Sequence, residues 1–174
     1  MTKQEFKNLV LPSRDKFFRV AFSLLGNRQE AEDTLQDAFL KLWNMRSRLS
    51  EYNSVEALGM TMTKNLCLDK LRSYKHRNQN NEEVETLTLH SGSPDPAQET
   101  ELSESLKTIH TIFETLPEQQ KLIIHLRDVE HYEYEEISDM TGLTVNTIRV
   151  NLSRARKTVR EEYLKHQNYE HRKN

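Results

Sequence analysis

The chain has 174 residues, 35% hydrophobic and 30% charged, with four Gly, four Pro and a formal net charge of −2. That length allows one domain or two small ones with thin cores, and the apolar fraction excludes a wholly disordered chain. Few turn residues and an abundance of Leu, Glu, Lys, Gln and Arg exclude a sheet-rich fold and predict an all-α class.

A single cysteine, Cys67, cannot form an internal disulfide, and its place among apolar neighbours predicts a small core residue. Lys3, Glu5, Lys7, Arg14 and Lys16 interrupt the N-terminus, so no secretory leader is expected. No window approaches 18 uninterrupted apolar residues. The expected location is cytoplasmic, with any membrane connection made through a partner. The net charge hides a segregation. Residues 1–79 carry 14 Lys or Arg against 9 Asp or Glu, whereas residues 80–105 carry none against 7.

In chain order, Phe17, Phe18, Ala21, Leu24 and Leu25 recur at helical spacing from Arg14 onward, and Gly26 stops that helix. Asn27 with Glu30 forms the pattern of a capping box for a second helix, whose apolar stripe is Ala31, Leu35, Ala38, Phe39 and Leu42. Glu32, Asp33, Gln36 and Asp37 lie off that stripe. The periodicity breaks between Met45 and Ser54, which predicts a loop; Asn53 and Glu56 suggest a second capping box. Val55, Leu58, Met62 and Leu66 then mark the apolar face of a third helix with basic later turns at Lys64, Lys70, Arg72, Lys75 and Arg77. Gly59 inside it costs about 1 kcal/mol relative to Ala, so close packing or local flexibility is expected there.

Residues 80–101, rich in Asn, Glu, Ser and Pro and without a basic residue, read as a flexible acidic linker. Helical spacing resumes with Leu102, Leu106, Ile109, Ile112 and Phe113. Pro117 suits the first turn of the next helix, whose core face is Leu122, Ile123, Leu126 and Val129.

The stretch from Tyr134 to Arg160 has the pattern of a helix-turn-helix. Gly142 can end one helix in the left-handed conformation, and Thr144 can cap the next. Ile137 and Met140 on the first are expected to meet Val145, Ile148 and Leu152 on the second, while Ala155 and Val159 continue the apolar face. Arg149, Arg154, Arg156, Lys157 and Arg160 make the opposite face basic, with no Asp or Glu between Val145 and Arg160. Such a face suits phosphate. A basic surface helix that only aids solubility is the plainer reading, but turn, cap, apolar register and one-signed charge coincide here. Past Leu164 the tail is expected to fray.

With both halves read, the chain resembles the extracytoplasmic-function group of bacterial sigma factors, in the sigma-70 family. The carrying stretches are AEDTLQDAFLKLW from Ala31, NLCLDKLRSYKHR from Asn65, LPEQQKLIIHLRDVE from Leu116, YEEIS from Tyr134 and TVNTIRVNLSRAR from Thr144. The resemblance implies two small helical domains, the second a winged-helix-like, four-helix unit containing the helix-turn-helix. It implies a polymerase-docking and −10 domain at 1–79, the linker at 80–101 and a −35 domain at 102–174.

Residue by residue, Asp33, Gln36 and Asp37 match positions that dock on the clamp helices of the largest polymerase subunit. Tyr52, Asn53, Lys64, Asn65, Asp69 and Arg72 match the region that reads and opens the −10 element; an opened strand needs cations for phosphate and a place for an unstacked base. Thr144, Asn146, Thr147, Arg149, Val150, Asn151, Arg154 and Arg156 match the surface entering the major groove at −35, with residue types able to pair with base edges. The implied partners are core RNA polymerase, including the flap of its second subunit, promoter DNA, and an anti-sigma factor, membrane-anchored or not.

The chain departs from the family pattern in three places. Val55 and Leu58 stand where an aromatic pair is usual, His131 where a Gly precedes the helix-turn-helix, and Asn151 where an Arg follows the recognition threonine. No cofactor or metal is expected, because the seven His are scattered and no Gly-rich phosphate loop occurs. Two other readings use the same residues: a stand-alone regulator with an N-terminal sensor or dimerisation unit, and a helical adaptor that binds only proteins.

Overall fold

The computed structural model describes residues 1–79 and 102–173, so the linker expected at 80–101 lies outside the described residues. Among the described residues every regular element is helical, and they fall into an N-terminal and a C-terminal compact unit.

In the N-terminal unit, α1 (Lys3–Val10), α2 (Arg14–Leu25), α3 (Arg28–Asn44) and α4 (Val55–Gln79) follow one another. Helix α1 falls within the lead that periodicity left unassigned. Its start is set by a full capping box, in which Thr2 accepts from the Glu5 amide and the Glu5 carboxylate accepts from the Thr2 amide. Its buried residues are only Phe6 and Val10, too few to produce a helical signature in sequence. Gly26 ends α2 at φ 66°, the left-handed stop expected of it.

Helices α2, α3 and α4 pack mutually into the core of this unit, with α1 against α4. Asn27 caps α3 by accepting from the Glu30 amide at 3.0 Å. The Glu30 carboxylate is directed to α4, where Lys70 Nζ donates to it at 2.9 Å. The cap of α4 is Ser54, not Asn53, since Ser54 Oγ accepts from the Ala57 amide at 3.0 Å. Glu56, the other half of the expected box, instead takes Ser13 Oγ and Lys16 Nζ, both at 2.8 Å, and so ties α4 to the start of α2. Between α3 and α4 the chain is not irregular: Arg46–Glu51 form a 3-10 turn pinned by buried Leu49.

Helix α4 corrects the expected register. Its buried residues are Gly59, Met60, Thr63 and Cys67, while Val55, Leu58, Met62 and Leu66 are only half-buried. The face toward α2 and α3 is chosen by fit, because small residues let the backbone approach. A Cβ built on Gly59 would lie 2.7 Å from Phe17 Cε2 and 3.3 Å from Leu42 Cδ1. Close packing is therefore the reason for this glycine. Thr63 satisfies its hydroxyl on the Gly59 carbonyl at 2.8 Å. Cys67 is fully buried, and burial pushes its thiol up to about 12.

The C-terminal unit contains α5 (Leu102–Thr115), α6 (Glu118–Ile124), α7 (Tyr134–Thr141) as far as Ser138, and α8 (Val145–Lys173), with α5 and α6 packed on α8. Ile112, Leu116, Leu122, Ile123, Ile124 and Leu126 fill its core. Leu106 and Val129, expected inside, are 58% and 43% exposed. Val129 turns outward because α6 widens into a π-turn over His125–Val129, where one extra residue per turn rotates the face. That turn closes with Glu130 N donating to the His125 carbonyl at 3.0 Å, beside a buried side-chain pair, His125 Nε2 and Glu130 Oε1, at 3.1 Å. His131 follows at φ 61°. The family's usual Gly at this position is thus explained by a left-handed backbone that His occupies with strain. Helix α8 runs to Lys173, well past the expected fraying point.

Two predictions follow from the packing around α4. Gly59→Ala should lower the unfolding midpoint of the N-terminal unit, since overpacking costs about 1–3 kcal/mol and outweighs the roughly 1 kcal/mol gain in helix propensity. Adding Phe17→Leu should recover part of that loss in urea melts, which an effect confined to helix propensity would not allow. Cys67 should resist thiol alkylation at pH 8 until the chain is denatured. Its folded thiol titrates near 12 against an ordinary 9.0. Its contribution to stability is therefore intact below pH 9 and lost as pH rises toward 12, readable as a falling melting temperature over that window.

Candidate nucleic-acid interface

The turn between α7 and α8 determines which residues face outward. Gly142 adopts φ 74°, and an added Cβ would find open space, so backbone conformation alone selects glycine. Ser138 Oγ donates to the Leu143 carbonyl at 2.6 Å, fastening the connection back onto α7. Thr144 Oγ1 accepts from the Thr147 amide at 3.1 Å and lies 2.8 Å from Thr147 Oγ1, so α8 begins under a side-chain cap.

From that start the register follows. Ile148, Leu152 and Ala155 are buried along α8, as are Ile137 and Met140 on α7. Val145 and Val159 are only half-buried. Asn146, Arg149, Val150 and Arg154 are exposed on the other side, with Val150 at 40%. Thr147 and Asn151 are half-buried, and Asn151 Nδ2 donates to the Thr147 carbonyl at 2.9 Å, one turn back along the helix. The Arg149 guanidinium lies over the Tyr134 ring, 5.2 Å from its centroid.

The basic face is not uniform. Arg156 makes two hydrogen bonds to Asp128, Nε to Oδ2 at 2.9 Å and Nη2 to Oδ1 at 2.5 Å, which raise its pKa. It therefore acts as a fork between α8 and the end of the π-turn. Arg154 has no ion-pair partner among the described residues. Sequence could not separate these two arginines, since Asp128 stands 28 positions before Arg156.

On the N-terminal unit, Asn65, Asp69 and Arg72 share one exposed face of α4, and Arg72 Nη1 approaches Asp69 Oδ1 at 3.5 Å. Lys64 is half-buried, and loss of solvent lowers its pKa. Tyr52, 38% exposed, and Asn53 precede the first turn of α4. About 15 Å of helix separates Val55, the first residue of that turn, from Asn65. The residues expected at −10 thus form two groups, a ring and an amide at one end of α4 and a polar, basic face in its middle. Trp43 is half-buried, with the Phe6 ring edge-on at 5.1 Å and the Arg46 guanidinium over it at 4.3 Å. On α3, Gln36 and Asp37 are exposed and Asp33 is half-buried, its carboxylate accepting from Gln29 at 3.2 Å. Leu40 follows on the same side, 58% exposed.

Two stretches of the chain match models of known families. A model described as Sigma-70 region 2 matches residues 9–77, and one described as Sigma-70, region 4 matches residues 106–159. This chain belongs to the sigma-70 family, in its extracytoplasmic-function group. Among sigma-70 relatives, the RNA polymerase sigma factor SigV of Bacillus subtilis is 28% identical over 165 residues, which cover 94% of each chain. The ECF RNA polymerase sigma factor SigW of the same organism is 25% identical over 167 residues, covering 90% of this chain and 88% of its own. The probable RNA polymerase sigma factor RfaY of Xanthomonas campestris is 28% identical over 164 residues, but the chain spans only 41% of its length. The sigma factor RpoE of Bartonella quintana, solved in complex with the anti-sigma factor NepR, shares the fold at a TM-score of 0.75 and 22% identity, with 91% and 96% of the two chains covered. No helix among the described residues is long and apolar enough to cross a membrane. No described cluster of His, Cys, Asp or Glu is arranged to hold a metal ion.

The unequal arginines of α8 give a direct expectation. Arg154→Ala should weaken duplex binding by the polymerase-bound protein and reduce the slope of log K against log salt by about 1. Arg156→Ala should change that slope less and lower the melting temperature of the C-terminal unit slightly, because its pair is partly exposed and worth at most about 1 kcal/mol. Equal slopes for the two variants would remove the distinction.

Proposed function

We propose that this sigma factor directs core RNA polymerase to promoters with −35 and −10 elements, through a docking and −10 domain at 1–79, an acidic linker at 80–101 and a −35 domain at 102–174. The observation that carries this reading is the order of two surfaces along one chain. An exposed polar and basic face on α4 precedes a capped helix, α8, that presents Asn146, Arg149 and Arg154 to solvent.

Each surface has a role in physical terms. Asn146, Thr147, Arg149, Val150, Asn151 and Arg154 read and hold the −35 duplex, with Thr144 fixing the helix start and Arg156 bracing the helix from behind. Asn65 and Arg72 hold the strand opened at −10, beside Lys64 and Asp69, while Tyr52 and Asn53 meet an unstacked base. Asp33, Gln36 and Asp37 dock on the clamp helices of the largest polymerase subunit, and the C-terminal unit meets the flap of the second. No covalent step is assigned to the chain; its action is binding energy applied to strand opening. Working on polymerase places it in the cytoplasm. The complex of RpoE with NepR supports an anti-sigma factor as a further partner, membrane-anchored or not.

Run-off transcription is the test. Purified core polymerase should yield a transcript from the cognate promoter, recovered by genomic run-off mapping, only when this protein is added. Tight duplex binding by the protein alone, with no transcript from any promoter in its presence, would overturn the reading in favour of a stand-alone regulator.

A further inference from the structure

Tyr134 opens α7, and its ring meets two guanidiniums of the C-terminal unit. Arg127 lies over it at 4.7 Å and Arg149 at 5.2 Å. Arg127 is itself fixed, since its Nη1 donates to the Tyr132 carbonyl at 2.8 Å and to the Glu133 carboxylate at 3.2 Å. The ring therefore stands on an anchored support and offers its surface to the one arginine of the first turns of α8.

The kind of partner matters. A carboxylate, as Asp128 does for Arg156, takes up N–H donors and offsets the charge. An aromatic ring attracts the cation through its quadrupole and leaves the in-plane N–H groups for another acceptor. A long, flexible arginine that is already ordered loses less entropy on binding. Among the described residues Arg149 has no carboxylate partner, so its orientation is constrained while its hydrogen-bonding capacity is kept.

We propose that Tyr134 is a positioning residue for Arg149, holding its guanidinium ready for the −35 duplex. This rests on α8 being the duplex-reading helix. Its consequence is that base preference at the pair read by Arg149 depends on a residue on α7 that need not touch DNA.

The test uses holoenzyme assembled from core polymerase and the full chain, selecting from promoter duplexes randomised over the −35 element. Tyr134→Phe keeps the ring and should select the wild-type sequence with unchanged affinity. Tyr134→Leu should bind the best wild-type site roughly two- to fivefold more weakly, the scale of one partly exposed cation–ring contact. It should relax preference at the same base pair as Arg149→Ala, and add nothing in the Arg149→Ala background. If Tyr134→Leu keeps wild-type preference while Arg149→Ala loses it, the positioning role is overturned and the reading of α8 stands. If Arg149→Ala itself changes neither preference nor affinity, both fail. A loss spread evenly over all positions, in Tyr134→Phe and Tyr134→Leu alike, would mean a merely structural residue and also overturn the proposal.

Discussion

The surface of α8 depends on where that helix begins. A helix start displaced by one residue turns every side chain by about 100°. Such a shift would carry Arg149 and Asn146 away from solvent and bring polar groups against the apolar core. Three local devices hold the start in place: the left-handed backbone of Gly142, the Ser138 bond to the Leu143 carbonyl, and the Thr144 cap. Each acts over at most five residues, so the start of α8 is specified locally.

The N-terminal unit solves a different problem. Its long helix α4 must pack on α2 and α3 and still offer a polar face along Asn65, Asp69 and Arg72. Using Gly59, Thr63 and Cys67 on the packed side lets the backbones approach closely without a wide apolar stripe. Leu58, Met62 and Leu66 are then left half-buried beside the core. Polar ties at the margins, Glu30 to Lys70 and Glu56 to Ser13 and Lys16, fix the relative rotation of the helices where apolar packing is thin.

Charge is handled differently on the two basic helices. On α8, Arg156 is neutralised by Asp128 and Arg149 is oriented by Tyr134, while Arg154 has no ion-pair partner among the described residues. Five like charges between Arg149 and Arg160 would repel one another, and the pairing of Arg156 with Asp128 relieves part of that repulsion. On α4, Lys70 is spent on Glu30, and Lys64 is partly desolvated. A count of Lys and Arg along either helix therefore overstates the charge available to phosphate.

Sequence by itself determined the all-α class, the helix-turn-helix, its Gly142 stop and Thr144 cap, and the Gly26 stop. These rest on backbone geometry and on contacts between residues a few positions apart, which composition and spacing encode directly. The family resemblance, too, was legible, because its motifs are contiguous stretches of helix. Tertiary structure alone decided the packed face of α4, the purpose of Gly59, the pairing of Arg156 with Asp128, and the ring of Tyr134 under Arg149. It also decided the π-turn that turns Val129 outward and the left-handed backbone at His131. Each depends on which distant side chain fills the adjoining space. Periodicity marks an apolar stripe, but the buried face is chosen by how closely two backbones can approach.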